Sequence, residues 1–348
     1  MKAHTTWIRM IGPYLFSICL VVVIFLLAIS LGSVHIPVRT VFLTIVQEGA
    51  RVPLGAALED AHTQIILQIR LPRVLLAFLV GASLGIAGAA FQGLLRNPLA
   101  DPFTIGVSSG SALGAVTVIF FQLSFIGIWT LPVVAILSGF VTLCLVLSFT
   151  RLVQRSLATE TIILTGIIAS SFLGACLSLM VALSQEELRH IIHWLMGSVG
   201  MRGWSYVYLI SPFLASGFVL VWFCRNELNA LMYGEASAHY LGVAVRKKKF
   251  VILLAATLLT GSAVAVSGTI GFVGLVIPHM VRLLWGSNHQ HLLPLAGITG
   301  GGFLILADLT ARTIVAPAEL PIGVITALVG SPIFAWMLYR QNKRKQGT

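Results

Sequence analysis

IRLPRVLLAFLVGASLGIAGAAFQGLLRNPLADPFTIGVSSGSALG, residues 69–114, holds two arginines ahead of an apolar run, closely spaced glycines, a polar break and a second glycine-spaced run. Each glycine inside a soluble helix costs about 1 kcal/mol relative to alanine. In a bilayer, apolar burial drives no association between helices, and small residues are the ones that let backbones approach closely. The stretch therefore predicts two membrane spans, 69–94 and 103–125. They are joined by a turn at Arg96-Asn97-Pro98, because proline disfavours helical geometry in the residue before it.

The whole chain agrees with that reading. Its 348 residues are 57% hydrophobic and 9% charged, with a mean hydropathy of +0.98. A soluble domain carries about 25% charged residues, so this chain cannot cover a water-facing surface. It reads as a single transmembrane unit over 1–348. Cys19, Cys144, Cys176 and Cys224 lie in or at the ends of apolar runs without CxxC or Cys/His spacing, as small buried hydrophobes do. No GxxxxGK[ST] phosphate loop, HExxH or GxSxG occurs, which argues against nucleotide hydrolysis and intramembrane catalysis by this chain.

Further runs predict spans at about 14–31, 131–152, 159–183, 206–224, 250–267, 270–284, 291–314 and 322–339. The stretch 250–284 also fits one long kinked helix, and 38–47 fits a short interfacial helix. About ten spans place both termini on the same side. With that side inside, the outer basic residues are Arg39, Arg51, Arg70, Arg73, Arg189, Arg202 and Arg312, balanced by an equal number of outer acids. The inner side, which includes Arg151, Arg155 and the run 246–249, then carries the entire net charge of +11. That asymmetry is what the positive-inside rule requires, and it makes nucleic acid an unnecessary explanation of the charge.

An internal repeat is visible. A shift of 180 residues lays Gly81, Gly88, Leu95 and Pro98 on Gly261, Gly268, Leu275 and Pro278. The two copies run in opposite directions through the membrane, the inverted-repeat pattern of transporters.

Four places hold polar chemistry. The inner segment 225–249 is too polar to span and patterns as two short helices broken at Gly234-Glu235. It reads equally as a docking platform for a cytoplasmic partner and as a solvated loop whose 246–249 run holds anionic lipid. Outside, Ile191, Ile192, Leu195 and Met196 pattern a short amphipathic helix, and the neighbouring His190 and His193 read as structural rather than metal-ligating. Asp308 and Arg312, at i and i+4, read as a pair within a span. Pro278-His279 reads as a kink or helix end facing the inner interface. An ion-driven secondary transporter would need further mid-span carboxylates, and only Asp308 comes close.

Six ordered motif regions resemble the FecCD-type permeases, membrane subunits of bacterial ABC importers for iron–siderophores, haem and cobalamin. They are QIRLPR (68–73), RNPLADP (96–102), GVSSGSALG (106–114), LNALMYGEASAHYLGV (228–243), GTIGFVGLVIPHMVR (268–282) and LADLTAR with AELPIGVITALVGSPIF (306–312, 318–334). The resemblance implies an all-α, ten-helix, type II ABC importer permease fold that pairs with a copy or a paralogue. It implies no cofactor, two cytoplasmic ATPase subunits under the inner segment, and a substrate-binding protein outside. By the same resemblance Arg70, Arg73 and Arg312 face acidic residues of the binding protein. Leu231, Gly234, Glu235, Ala238, Leu241 and Gly242 carry the ATPase coupling. The inner gate falls near Thr159, although the adjacent Glu160 is a less usual gate residue. The implied cargo is an iron(III)–siderophore chelate, with haem and cobalamin as alternatives.

Overall fold

Residues 2–32, 34–49, 59–154 and 158–346 are described by a computed structural model, and among them the chain is helical without strands. Arg51 and Arg155, counted above in the charge balance, lie outside the described residues. The first helix, α1 (Lys2–Ser30), is followed by α2 (Val38–Thr44), which runs into a π-helical turn at Ile45–Gly49 where the interfacial helix was expected. Next, α3 (Asp60–Gln64), a π-helical turn (Ile65–Arg70) and α4 (Leu71–Leu95) form one continuous rod. This span begins well before the arginine pair, not at it. The widened turn tolerates Pro72, which has no N–H to offer the carbonyl five residues back at Leu67. Trp204 Nε1 donates to that carbonyl instead, at 2.9 Å.

The chain continues through α5 (Val107–Phe120), α6 (Thr130–Gln154), α7 (Thr159–Leu183), α8 (Leu188–Leu195) and α9 (Gly203–Phe223). It then forms α10 (Arg225–Met232), α11 (Glu235–Tyr240), α12 (Val245–Ser267), α13 (Val273–Trp285), α14 (His289–Thr313) and α15 (Ile322–Gln346). Seven stretches are long and apolar enough to cross a bilayer, and three shorter apolar helices at Val107–Phe120, Val273–Trp285 and Ile322–Met337 complete the expected ten. The amphipathic α8 and the broken inner pair α10–α11 fall where the pattern placed them.

The rod ending in α4 is the centre of the molecule: 83% of its apolar window is buried, against 17% for α7. It runs antiparallel to α14, with Gly81 facing Gly300 and Gly85 facing Ala296. A methyl group at Gly81 would lie well inside the van der Waals contact distance of the Gly300 carbonyl oxygen, so the two backbones are in direct contact.

The stretch 250–284 resolves into two helices, α12 and α13, broken between Gly268 (φ +72°) and Phe272 (φ +68°). Unwound backbone at membrane depth must find partners within the protein. Here the turn after α8 supplies one, and further bonds tie α8 and that turn to Thr269 and to α15. Ser198 N–H donates to Ser267 O at 2.7 Å, Thr269 Oγ1 donates to Leu195 O, and Ile322 N–H at the start of α15 donates to Gly197 O at 3.1 Å. The repeat is therefore unequal in detail. Gly88 sits inside continuous α4, packed on the Gly274 carbonyl, whereas its counterpart Gly268 terminates α12.

Candidate functional site

At the outer end, the arginines of QIRLPR and LADLTAR come together, though not as three outward-facing forks. Arg70 is only 5% exposed. Its Nη1 donates to Ile29 O at 2.6 Å and Ser30 O at 2.9 Å, and its Nη2 donates to Val34 O. Arg312 Nη2 donates to Ala28 O. These two cations thus cover the last carbonyls of α1, where the helix dipole is negative and the orphan acceptors need donors.

Arg73 has a different task. Its Nε donates to both Asp308 oxygens at 3.0 and 3.2 Å, its Nη2 to Asp308 Oδ1 at 2.9 Å, and its outer edge to Glu319 at 2.8 and 3.0 Å. Asp308 is buried, while the Glu319 side chain is half exposed. The hydrogen bond from Arg73 holds the Glu319 carboxyl below the usual range. The expected Asp308–Arg312 pairing is correspondingly loose, 3.5 Å from Nε to Oδ2, because Arg73 takes the carboxylate from the other side.

An outer cavity of about 830 Å³ opens beside this cluster, lined in part by Arg73, His193, Arg202 and Glu319. A second, of about 310 Å³, is lined in part by Arg189, His190, His193 and Arg202. Glu319 is the one acid among these lining residues.

At the inner end the structure joins two regions that the sequence kept apart. Lys249, at 1% exposure, places Nζ 2.5 Å from Glu235 Oε1 and 3.2 Å from Thr159 Oγ1. The threonine hydroxyl in turn donates to Glu235 Oε1 at 3.1 Å. The start of α7, the start of α11 and the N-terminal part of α12 therefore share one junction, centred on the buried Lys249 with Glu235 partly exposed. Lys248 adds an ion pair to Glu227 at 2.5 Å, tying α12 to α10. Asn229 of α10 accepts from His289 N–H at 2.9 Å, which fixes the pair to the N-terminus of α14.

Within the pair, Leu231 and Ala238 are buried, and Gly234 (φ +109°) and Gly242 (φ +82°) take the turns that favour glycine. Tyr233, Tyr240 and Leu241 stand out into the inner solvent.

Ten spans around a broken-helix core, with this helix pair beneath, can be compared with known proteins. The FecCD transport family model matches residues 20–340. The chain belongs to the FecCD transport family. This FecCD permease is 54% identical over 334 residues to the uncharacterized ABC transporter permease YvrB of Bacillus subtilis, covering 95% of this chain and 94% of that one. It is 38% identical to the hemin transport permease HmuU of Yersinia pestis, covering 95% and 96% of the two chains. Its fold matches a metal-chelate type ABC transporter in an inward-facing conformation, with a TM-score of 0.82 and 34% identity, covering 94% and 98%. Its relatives are transport subunits, and like them it is a multi-pass permease of the inner membrane, not an enzyme.

The FecCD permease thus keeps Arg70, Arg73 and Arg312 at one outer end, and Thr159 against Glu235 at the inner end. Sequence reading missed Lys249, which sits in the run 246–249 and looks like its solvated neighbours there. Only the helical phase distinguishes it: Lys249 falls on the same face as the buried Leu253 and Ala256. Glu319, next to LP at the start of α15, carried no pattern that linked it to Arg73.

Proposed function

We propose that this permease is one half of a dimer that imports an anionic metal chelate of the iron(III)–siderophore type, with two cytoplasmic ATPase subunits and an extracytoplasmic binding protein as partners. The observation that carries the cargo class is the lining of the outer cavities: beside Arg73, which Asp308 and Glu319 already balance, they hold Arg189, Arg202, His190 and His193. Such a lining favours a ligand bearing carboxylates or other oxyanions. Hemin, with two propionates, is the second reading, supported by the close match to a hemin permease over nearly the whole chain. Relatives named for cobalamin, molybdate and Fe(3+) dicitrate, at 39, 40 and 36% identity, keep the choice an experimental one.

The binding protein meets the outer end. Arg73 offers the contact for a receptor carboxylate that displaces the half-exposed Glu319 from its outer edge, and Arg70 and Arg312 add positive potential behind it while holding α1 in place. ATPase subunits take the inner helix pair through Tyr233, Tyr240 and Leu241. Movement of that pair reaches Thr159, the inner gate in this reading, through Glu235 and Lys249. The apolar outer face of α7, with Ile167, Ile168 and Phe172 exposed, suits a second permease subunit.

Reconstitution tests the proposal. Liposomes holding the permease, its ATPase and the binding protein should take up a ferric siderophore only with internal ATP, with hemin and cobalamin as competitors. Uptake that persists without the ATPase under a proton gradient overturns the powered-import reading. Preferential uptake of hemin selects the second cargo.

A further inference from the structure

At the inner rim, between the end of α4 and α13, lies a cavity of about 260 Å³ lined by Gln92, Arg96, Asn97, Met232, His279 and Arg282 among others. No acid lines it. His279 is 2% exposed, and neither ring nitrogen has a hydrogen-bond partner among the described residues. Arg282 donates from Nη1 to Gln92 Oε1 at 3.1 Å, but its buried Nε is unpartnered. The Gln92 amide nitrogen donates to Leu275 O at 3.0 Å, which holds its oxygen toward Arg282 Nη1 and leaves Nε without an acceptor. Arg96, in the left-handed conformation that ends α4 (φ +52°), makes no ion pair among the described residues.

Two guanidinium groups and a buried imidazole thus converge on one space with donors to spare. Buried polar groups without partners are uncommon in folded proteins and often mark a missing ion or water. Basic pockets between membrane helices on the cytoplasmic side are suited to phosphate-bearing head groups. We propose that this cavity is a binding site for a phosphate-type oxyanion, held by Arg96, His279 and Arg282. The phosphate comes from an anionic phospholipid of the inner leaflet or from free phosphate. Arg282 Nε and one His279 nitrogen donate to its oxygens from within, and Arg96 closes over it from the turn. Occupancy joins the inner end of α4 to α13 directly beside Met232 of the coupling pair. The site depends on inner-face charge and geometry alone, and stands whatever the cargo is.

The test uses the purified full-length chain in nanodiscs. One arm titrates labelled phosphatidylglycerol into phosphatidylcholine discs. The other titrates radiolabelled inorganic phosphate against discs of phosphatidylcholine only. Saturable binding in either arm is expected, and the arm that responds names the source. Arg96→Gln and Arg282→Gln should each weaken it about tenfold, the scale of one hydrogen bond to a charged group. Lys247→Gln, an exposed cation on the same side, should leave it unchanged. Arg96 lies at the surface, so Arg96→Gln alone carries the test if Arg282→Gln does not fold. The proposal is overturned if neither arm saturates, if Arg96→Gln binds like wild type, or if Lys247→Gln loses binding equally.

Discussion

Arg70 and Arg73 stand one helical turn apart and have different partners, so they should fail differently. Arg70→Ala removes two charge-assisted bonds to the end of α1 and a third to Val34 O beyond it, and leaves the buried Ile29 and Ser30 carbonyls without that donor. It should lower stability by about 2–4 kcal/mol, read as a fall in the thermal midpoint of the purified permease. Glu319→Gln should leave the midpoint near wild type at neutral pH, because the glutamate is half exposed and such pairs are weak. It should instead free the outer edge of Arg73 and alter affinity for the binding protein at low salt. Two acids outside the spans give pH dependences of opposite sign. Glu319 is depressed by Arg73, so its contribution is present above about 4.5 and is lost as the pH falls further. Burial raises Asp101 to about 6, so the folded state binds its proton more tightly than the unfolded chain does. Its ionisation therefore costs stability as the pH climbs from its ordinary value through 6. Asp101→Asn, which can still accept from Phe103 N–H at the same cap, should flatten that segment of a midpoint-versus-pH curve.

Among the elements, the α4–α14 contact sets the shape of the core. Gly81→Leu would force apart two backbones that touch, with no flexible side chain to give way. A loss of more than about 3 kcal/mol is expected, seen as failure to recover folded protein from membranes. The coupling pair makes the opposite kind of prediction. Lys249→Met keeps the volume at a buried position but removes the charge shared by Glu235 and Thr159. ATPase binding should survive, because Tyr233, Tyr240 and Leu241 remain in place, while ATP-driven uptake should fall at least about tenfold. An equal loss of ATPase binding and uptake would assign the junction a purely structural role. The short helix α8 acts locally too: the turn after it donates to Ser267 O at the end of α12, and the Thr269 side chain in the gap bonds back to Leu195 O.

At the scale of the whole molecule, much was legible in the residues. Spans must be long and apolar, so all ten appear as apolar runs, with 250–284 also fitting one kinked helix, and the inner helix pair appears at the Gly234 break. Sidedness follows from where Arg96, Arg151 and the run 246–249 fall. The order of motifs identifies the family. Partner choice was not legible. Arg73 reaches Asp308 and Glu319, 235 and 246 residues away, and Lys249 reaches Thr159 across 90. A soluble amphipathic helix announces its inner face by an apolar stripe, but a membrane helix that is apolar all round carries no such mark. Its rotation is settled by which small residues let it approach its neighbours, as at Gly81 and Gly300. By itself, then, the sequence determined where the apolar spans lie and which transporter family the chain belongs to, because bilayer thickness acts on each segment separately. The tertiary structure alone decided that Arg70 and Arg312 turn inward onto α1, that Arg73 bridges two acids, and that Lys249 joins the start of α11 to the start of α7. Those outcomes depend on how the spans are rotated against one another, and rotation is a property of the packed bundle.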